Sequence, residues 1–210
     1  MKDYMVNEVF YSLQGEGVRA GTPNVFVRFS GCNLQCRSDN EAGFDCDTEF
    51  TSGRRRSLDD LLVDMMTAGG PSHPRNVILT GGEPGLQVDE PLINRLRADG
   101  WFIAIETNGT VELPPLIHWV CVSPKSAEHT LRQKYASEVK YVRHVGQGIP
   151  RPTIDAPHKL ISPAFETLVN PDSTVRHRPA PGAMEWCIQL VKENPEWRLS
   201  VQQHKSWAIR

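Results

Sequence analysis

Three cysteines, Cys32, Cys36 and Cys46, restrict this chain more than any other feature. They occur in Phe29-Ser-Gly-Cys-Asn-Leu-Gln-Cys36, followed by nine residues and then Cys46-Asp-Thr48. Thiols at such spacing form a metal-ligand pattern, so the fold has to deliver one loop's sulfurs to a common point. The thiolate is the ligand, and binding is coupled to proton release. A closed zinc or iron–sulfur site takes four protein ligands, whereas three thiolates on a four-iron cluster leave one iron open to a substrate or cofactor. The loop is polar, which argues against three unrelated core cysteines. The competing reading is structural zinc held by three cysteines and either His73 or His204. Cys121 and Cys187 stand in apolar contexts and read as packing residues.

A length of 210 residues fits a single domain, 1–210, and falls short of the roughly 250 residues of a complete eight-fold βα barrel. The formal net charge of −2 points to neither nucleic acid nor an anionic membrane as the main partner. No apolar run approaches the roughly 20 residues of a membrane helix, and the first residues lack the apolar stretch of a signal peptide. Five cysteines, an odd number with three at metal spacing, favour a reducing cytoplasm over a disulfide framework.

Apolar, β-branched and aromatic runs predict strands over 24–30, 77–79, 102–105, 119–122, 139–142, 159–161 and 197–201. Ser57 is placed to cap a helix with apolar face Leu58, Leu61, Leu62, Met65 and Met66, stopped by Gly69 and Gly70. A second helix is expected over 89–99, with Pro91 in its first turn and Gly100 past its end, and a third over 182–193. Arg54, Arg55 and Arg56 read as a solvated face ahead of the first helix. The alternation implies an α/β fold with a parallel sheet and right-handed crossovers. With few helices for about six strands, an incomplete parallel βα barrel fits best. Each polar motif follows the C-terminal end of a strand, where such folds place their active sites. One of these, Thr80-Gly-Gly-Glu-Pro84, has two glycines that allow close backbone approach and free N–H groups, and a proline that fixes the turn.

The cysteine loop followed by Gly-Gly-Glu-Pro resembles the radical S-adenosylmethionine (SAM) superfamily. Further motifs narrow the resemblance to the 7-carboxy-7-deazaguanine synthase family. They are Phe10-Tyr-Ser-Leu-Gln-Gly-Glu-Gly17, Val25-Phe-Val-Arg-Phe-Ser-Gly-Cys-Asn-Leu34, Cys46-Asp-Thr48, Ser123-Pro-Lys125 and Trp197-Arg-Leu-Ser-Val-Gln-Gln-His-Lys205. The resemblance runs from about residue 7 to the end. It implies a carbon–nitrogen lyase that uses a [4Fe–4S] cluster, SAM and Mg²⁺. Reduction of SAM by the cluster yields a 5′-deoxyadenosyl radical, which takes a hydrogen from 6-carboxy-5,6,7,8-tetrahydropterin. Ring contraction with loss of ammonia then gives 7-carboxy-7-deazaguanine, on the way to queuosine.

By the same resemblance Cys32, Cys36 and Cys46 hold the cluster, and Thr48 ligates Mg²⁺. Asp45, Asp47, Gly82, Ser123, Pro124 and Lys125 meet SAM, and Ser162, Pro163, Ala164 and Phe165 do so through backbone contacts. Leu13, Gln14 and Gly15 meet the pterin, Arg28 its carboxylate, and Thr80, Glu106, His204 and the terminal carboxylate of Arg210 complete the substrate site. These roles suit the residue types. Arg28 offers a planar fork to a carboxylate, Glu106 accepts from the N–H edge of a guanine-like ring, and Thr48 is a hard oxygen ligand. Glu16 lies within the first motif and is assigned no role. The implied partners are a small pterin, an electron donor such as a flavodoxin and a second copy of the chain; no nucleic acid or membrane is expected.

The chain departs from the superfamily at two points. The usual spacing is three residues then two, whereas nine separate Cys36 from Cys46. The aromatic residue usual before the third cysteine is replaced by Asp45, with Phe44 one position earlier; either Phe44 takes that place or the contact is lost. A glycyl-radical-enzyme activase would share the small size and the cysteine loop but lack the Leu-Gln-Gly-Glu-Gly start and Gln-His-Lys end.

Overall fold

The computed structural model describes residues 2–37, 46, 48–169, 175–207 and 209. Its strands are β1 (Tyr4–Leu13), β2 (Pro23–Phe29), β3 (Arg54–Arg56), β4 (Asn76–Gly81), β5 (Phe102–Thr107), β6 (Trp119–Val122), β7 (Glu138–Arg143), β8 (His158–Pro163), β9 (Phe165–Val169), β10 (Val175–Pro179) and β11 (Trp197–Leu199). Its helices are α1 (Leu58–Gly69), α2 (Glu90–Ala98), α3 (Ala183–Glu193) and α4 (Gln203–Trp207).

One sheet holds nine strands in the order β11-β8-β7-β6-β5-β4-β2-β1-β3. Every neighbouring pair from β2 through β11 is parallel, so each expected strand is present in the expected parallel sheet. The sheet is open, with β3 and β11 at its edges, as an incomplete barrel requires. Its curvature is bridged by the β1–β2 connection, which crosses to the far strands. The Gly17 N–H donates to the Ser200 hydroxyl (2.9 Å), the Val18 N–H to Glu138 on β7 (2.8 Å), and the Gln203 N–H to the Gly15 carbonyl (2.9 Å).

The first helix starts where the cap chemistry predicts: the Ser57 hydroxyl accepts from the Asp60 N–H at 3.2 Å, and Asp59 and Asp60 occupy the first turn. Asp89 caps α2 in the same way through the Leu92 N–H. Met66 departs from expectation. It belongs to the apolar stripe by spacing, but it sits at the stripe's rim and is 41 % exposed, while Leu61, Leu62 and Met65 are buried. Ser57→Ala should cost about 1 kcal/mol of stability by chemical denaturation, the usual worth of such a cap.

Two apolar clusters fill the molecule. One joins β1, β2, β4 and β5 to α1 and α2 around Phe29, Leu61, Met65, Leu79, Leu92 and Ile105. The other joins β6–β8 and β11 to α3 around Val122, Val139, Ile161, Cys187 and Trp197, and Val120 packs against both. Cys121 and Cys187 are fully buried.

Three features extend the expected architecture. Strand β1 runs antiparallel to β2, with a register irregularity between Val6 and Glu8 that interrupts its alternation. The Arg54–Arg56 segment is an antiparallel edge strand on β1 rather than a bare solvated approach to α1; Arg54 and Arg55 are exposed, and Arg56 pairs with Asp64 at 2.6 Å. Charged side chains on an edge discourage further strand pairing. Finally, β9 and β10 form a separate antiparallel hairpin directly after β8.

Candidate active site

Parallel register and side-chain alternation together assemble the site. Arg28 on β2 is level with Thr80 on β4, Glu106 on β5 with Cys121 on β6, and Cys121 with Glu138 on β7. Residues two apart on a strand share a face, so Lys140 lies on the Glu138 face of β7. A polar rung therefore crosses the sheet just below its C-terminal end.

The cysteine loop leaves β2 at this end and is zipped to the β4 turn. The Gly82 N–H donates to the Phe29 carbonyl (3.1 Å) and the Glu83 N–H to the Gly31 carbonyl (2.9 Å). Gly81 has φ +143°, and a Cβ there would stand 2.2 Å from the Phe29 oxygen. The two glycines thus allow the turn to press against the cysteine loop itself, a closer reason for them than approach to a ligand. Glu83 locks the turn to the end of β5. Buried completely, it accepts from the Thr107 hydroxyl (2.6 Å), the Asn108 N–H (2.7 Å) and the Gly85 N–H (2.8 Å). Burial raises its carboxyl, and these three donors oppose that shift. The motif contained this residue, but nothing in the sequence identified its partners.

Cys32, Cys36 and Cys46 line one cavity of about 1080 Å³. The Leu34 N–H points at the Cys32 sulfur (3.4 Å), the Cys46 N–H donates to the Cys36 carbonyl (3.3 Å), and the Cys46 thiol faces the Thr48 carbonyl (3.8 Å). Three thiols on one cavity wall fit an iron–sulfur cluster with an open position, and the amide N–H already aimed at one sulfur is of the kind that tunes such clusters. His73 stacks on Tyr11, with ring centroids 4.3 Å apart. Neither it nor His204 lines the cysteine cavity, so neither supports a zinc site. Gly82, Ser123, Lys125, Ser162, Pro163 and Phe165 line this cavity as well. Lys125 donates to the Ser123 hydroxyl. Pro124 and Ala164 are not in its lining; Ala164 is fully buried, with its N–H bonded to the Arg143 carbonyl (3.0 Å).

A second cavity of about 890 Å³ adjoins the first. It is lined by Leu13, Gln14, Gly15, Arg28, Thr48, Thr80, Glu106 and His204, which is every described residue assigned to the substrate together with the proposed magnesium ligand. Glu16, Thr48, Glu49, Thr80, Glu106, His177, Gln202 and Lys205 line both cavities and so form their common wall. Arg28 donates through Nε to Glu8 (2.9 Å), and its guanidinium lies 5.9 Å from the Phe10 ring. Phe44, Asp45, Asp47 and Arg210 lie outside the described residues.

Sequence reasoning missed the ionic core of this wall. Lys140, 6 % exposed, pairs with Glu16 and stands 3.7 Å from Glu106. Burial alone would raise the Glu16 carboxyl, but the Lys140 ammonium outweighs it and holds Glu16 at about 2. For Lys140, burial is likewise overcome by the two carboxylates, and its ammonium titrates well above the ordinary lysine range. A lysine inside the otherwise apolar run Val139–Val142 was the available signal.

Comparison with known proteins agrees with this geometry. A family model described as "4Fe-4S single cluster domain" matches residues 13–103. The 7-carboxy-7-deazaguanine synthase of Bradyrhizobium diazoefficiens is 39% identical, with 99% of each chain covered. Those of Bacteroides thetaiotaomicron (40%, 98% of each chain) and Burkholderia multivorans (39%, 96% of this chain and 97% of the relative) are equally similar. Among solved structures, QueE from Escherichia coli superposes with a TM-score of 0.66 at 26% identity, covering 96% of this chain and 95% of that one. Near-complete coverage by such relatives, together with three thiols on one cavity at the C-terminal end of a partial parallel barrel, shows that the chain belongs to the 7-carboxy-7-deazaguanine synthase family of radical SAM enzymes.

Proposed function

We propose that this chain, acting as a single catalytic unit, converts 6-carboxy-5,6,7,8-tetrahydropterin to 7-carboxy-7-deazaguanine with loss of ammonia, in the formation of queuosine and related deazapurines. The observation that carries this reading is the shared wall between the three-thiol cavity and the polar cavity. A ring bound in the second would lie beside a cofactor bound in the first. The cluster and SAM, when bound, supply a hydrogen-abstracting radical.

The chain's own residues then bind and orient the substrate. Glu106, held through one oxygen by the Gln14 amide (2.9 Å), faces the donor edge of the ring. Glu8 occupies the Nε edge of Arg28, so a substrate carboxylate would dock on its Nη pair. Thr48, on the common wall, is the proposed Mg²⁺ ligand. Ser123, Lys125 and the backbone of 162–165 are the proposed contacts of SAM. A homodimer and an external one-electron donor of the flavodoxin kind complete the proposal. Among the described residues no helix is long and apolar enough to cross a membrane.

The test is an anaerobic assay of the reconstituted, dithionite-reduced protein with SAM, Mg²⁺ and 6-carboxy-5,6,7,8-tetrahydropterin, read by mass spectrometry. The expected product is 7-carboxy-7-deazaguanine. Release of 5′-deoxyadenosine without the deazapurine would discard this substrate and keep the radical chemistry. In the same assay Arg28→Ala should raise KM about 10- to 100-fold, the worth of a hydrogen-bonded charge, with kcat changed much less.

A further inference from the structure

With the polar cavity assigned to a pterin as above, we propose that Lys140 is a positioning residue for substrate recognition. Its ammonium favours the ionised, acceptor form of Glu16 and Glu106 in the wall between the cavities, so that Glu106 can accept from a ring edge rich in N–H donors.

The geometry is a chain of five side chains from four parts of the fold: the β1–β2 connection, β5, β7 and the segment ahead of α4. Gln14 donates to one Glu106 oxygen (2.9 Å), and the other stands 3.7 Å from the Lys140 nitrogen. Lys140 donates to one Glu16 oxygen, and Gln202 donates to the other (3.0 Å). The Gln14 carbonyl accepts from the Glu16 N–H (3.2 Å), which fixes the direction of its amide and hence the donor aimed at Glu106. Lys140 is thus the cation between two carboxylates contributed by β5 and by the β1–β2 connection. It lines the cysteine-side cavity, whereas both carboxylates line both cavities. Two half-buried carboxylates would repel one another without it, which favours proton uptake by one of them.

The groups around Glu106 make the consequence specific. On balance the Glu106 carboxyl is raised: burial pushes it up, Lys140 is the largest influence opposing this, and Glu138 and Glu16 push further in the same direction as burial. The Cys121 thiol donates to it, and Arg19 lies within electrostatic range. His204 acts on Glu16, and Lys125 on Lys140 and Glu16. Lys140 is therefore the strongest influence keeping Glu106 ionised. A protonated Glu106 would turn an acceptor into a donor facing ring N–H groups.

Lys140→Met holoenzyme, loaded with cluster and SAM, should bind the pterin about 10- to 100-fold more weakly than wild type at pH 7, judged from a lost charge-assisted contact. The ratio of variant to wild-type KM should shrink towards alkaline pH, as Glu106 regains its charge. The sign follows from a carboxyl raised by loss of its cation: recognition is lost below the new, higher pKa and recovered above it. Lys140→Arg, which keeps the cation, should restore a flat ratio. Calorimetric titration with 6-carboxypterin, a stable oxidised analogue, reads the same effect without turnover.

A half-buried carboxylate left without its cation destabilises a fold. If Lys140→Met fails to load iron, Lys140→Met/Glu16→Gln removes the stranded charge and leaves Glu106 as the group under test, with the same expected profile. A KM ratio constant from pH 6.5 to 9, or a loss confined to kcat, overturns the proposal. Wild-type holoenzyme that binds no pterin overturns the substrate reading and this proposal together. A binding wild type beside a pH-independent variant overturns the Lys140 role alone.

Discussion

Replacing Cys32, Cys36 or Cys46 by alanine is expected to remove the iron–sulfur chromophore and reduce SAM cleavage to background in all three variants. Each thiol lines the same cavity, and a four-iron cluster with one open position has no protein ligand to spare. The control is Cys187→Ala. Its thiol is fully buried between α3 and the second apolar cluster, so this variant should retain its iron and lose stability instead. Iron content per chain, measured after anaerobic reconstitution beside 5′-deoxyadenosine production, separates the two classes. Full iron and full cleavage in any one of the three would remove that cysteine from the ligand set.

Gly82→Ala should be nearly as damaging, although it removes no ligand. A Cβ at residue 82 would stand 2.1 Å from the Gly31 oxygen, 2.6 Å from the Gly31 carbonyl carbon and 2.9 Å from the Cys32 Cβ. None of these neighbours is the free end of a flexible side chain, so the cysteine loop itself has to move. A displacement of about 1 Å at reacting groups is worth on the order of 100-fold in rate, and SAM cleavage should fall by at least that factor. The matching control is Gly148→Ala, where a Cβ meets nothing within 4 Å. Equal iron content and equal cleavage in the two variants would show that the loop tolerates the shift and that the contact is not what seats it.

Most of the sheet was legible because buried parallel strands are short continuous apolar runs bounded by turn residues, and each expected run is a strand. Strand β1 was not legible: Asn7 and Glu8 break its pattern, and the register irregularity falls between Val6 and Glu8. The Arg54–Arg56 strand was hidden by its composition, since three arginines carry no apolar periodicity and pair only because β1 offers an edge. The hairpin of β9 and β10 lies outside the main sheet and meets α4 through Phe165, whose ring lies 4.9 Å from the Lys205 nitrogen.

The site divides along the same line. Glycine, cysteine and proline carry their constraints in their own covalent chemistry, so Cys32, Cys36, Cys46 and the Gly81–Gly82 turn could be singled out with no neighbour known. A local rule also sufficed for the Ser57 cap, because donor and acceptor lie three residues apart. Charges buried by tertiary contact obey no such rule. The partners of Lys140 are 124 positions away at Glu16 and 34 at Glu106, and Glu83 is satisfied by Thr107 and Asn108 at the end of another strand. The chain by itself therefore determined which chemistry it carries and that the chemistry sits at the ends of parallel strands. Strand register and the path of the β1–β2 connection decided which carboxylates share a cation, because a charge's environment in the fold is set by groups that sequence distance does not order.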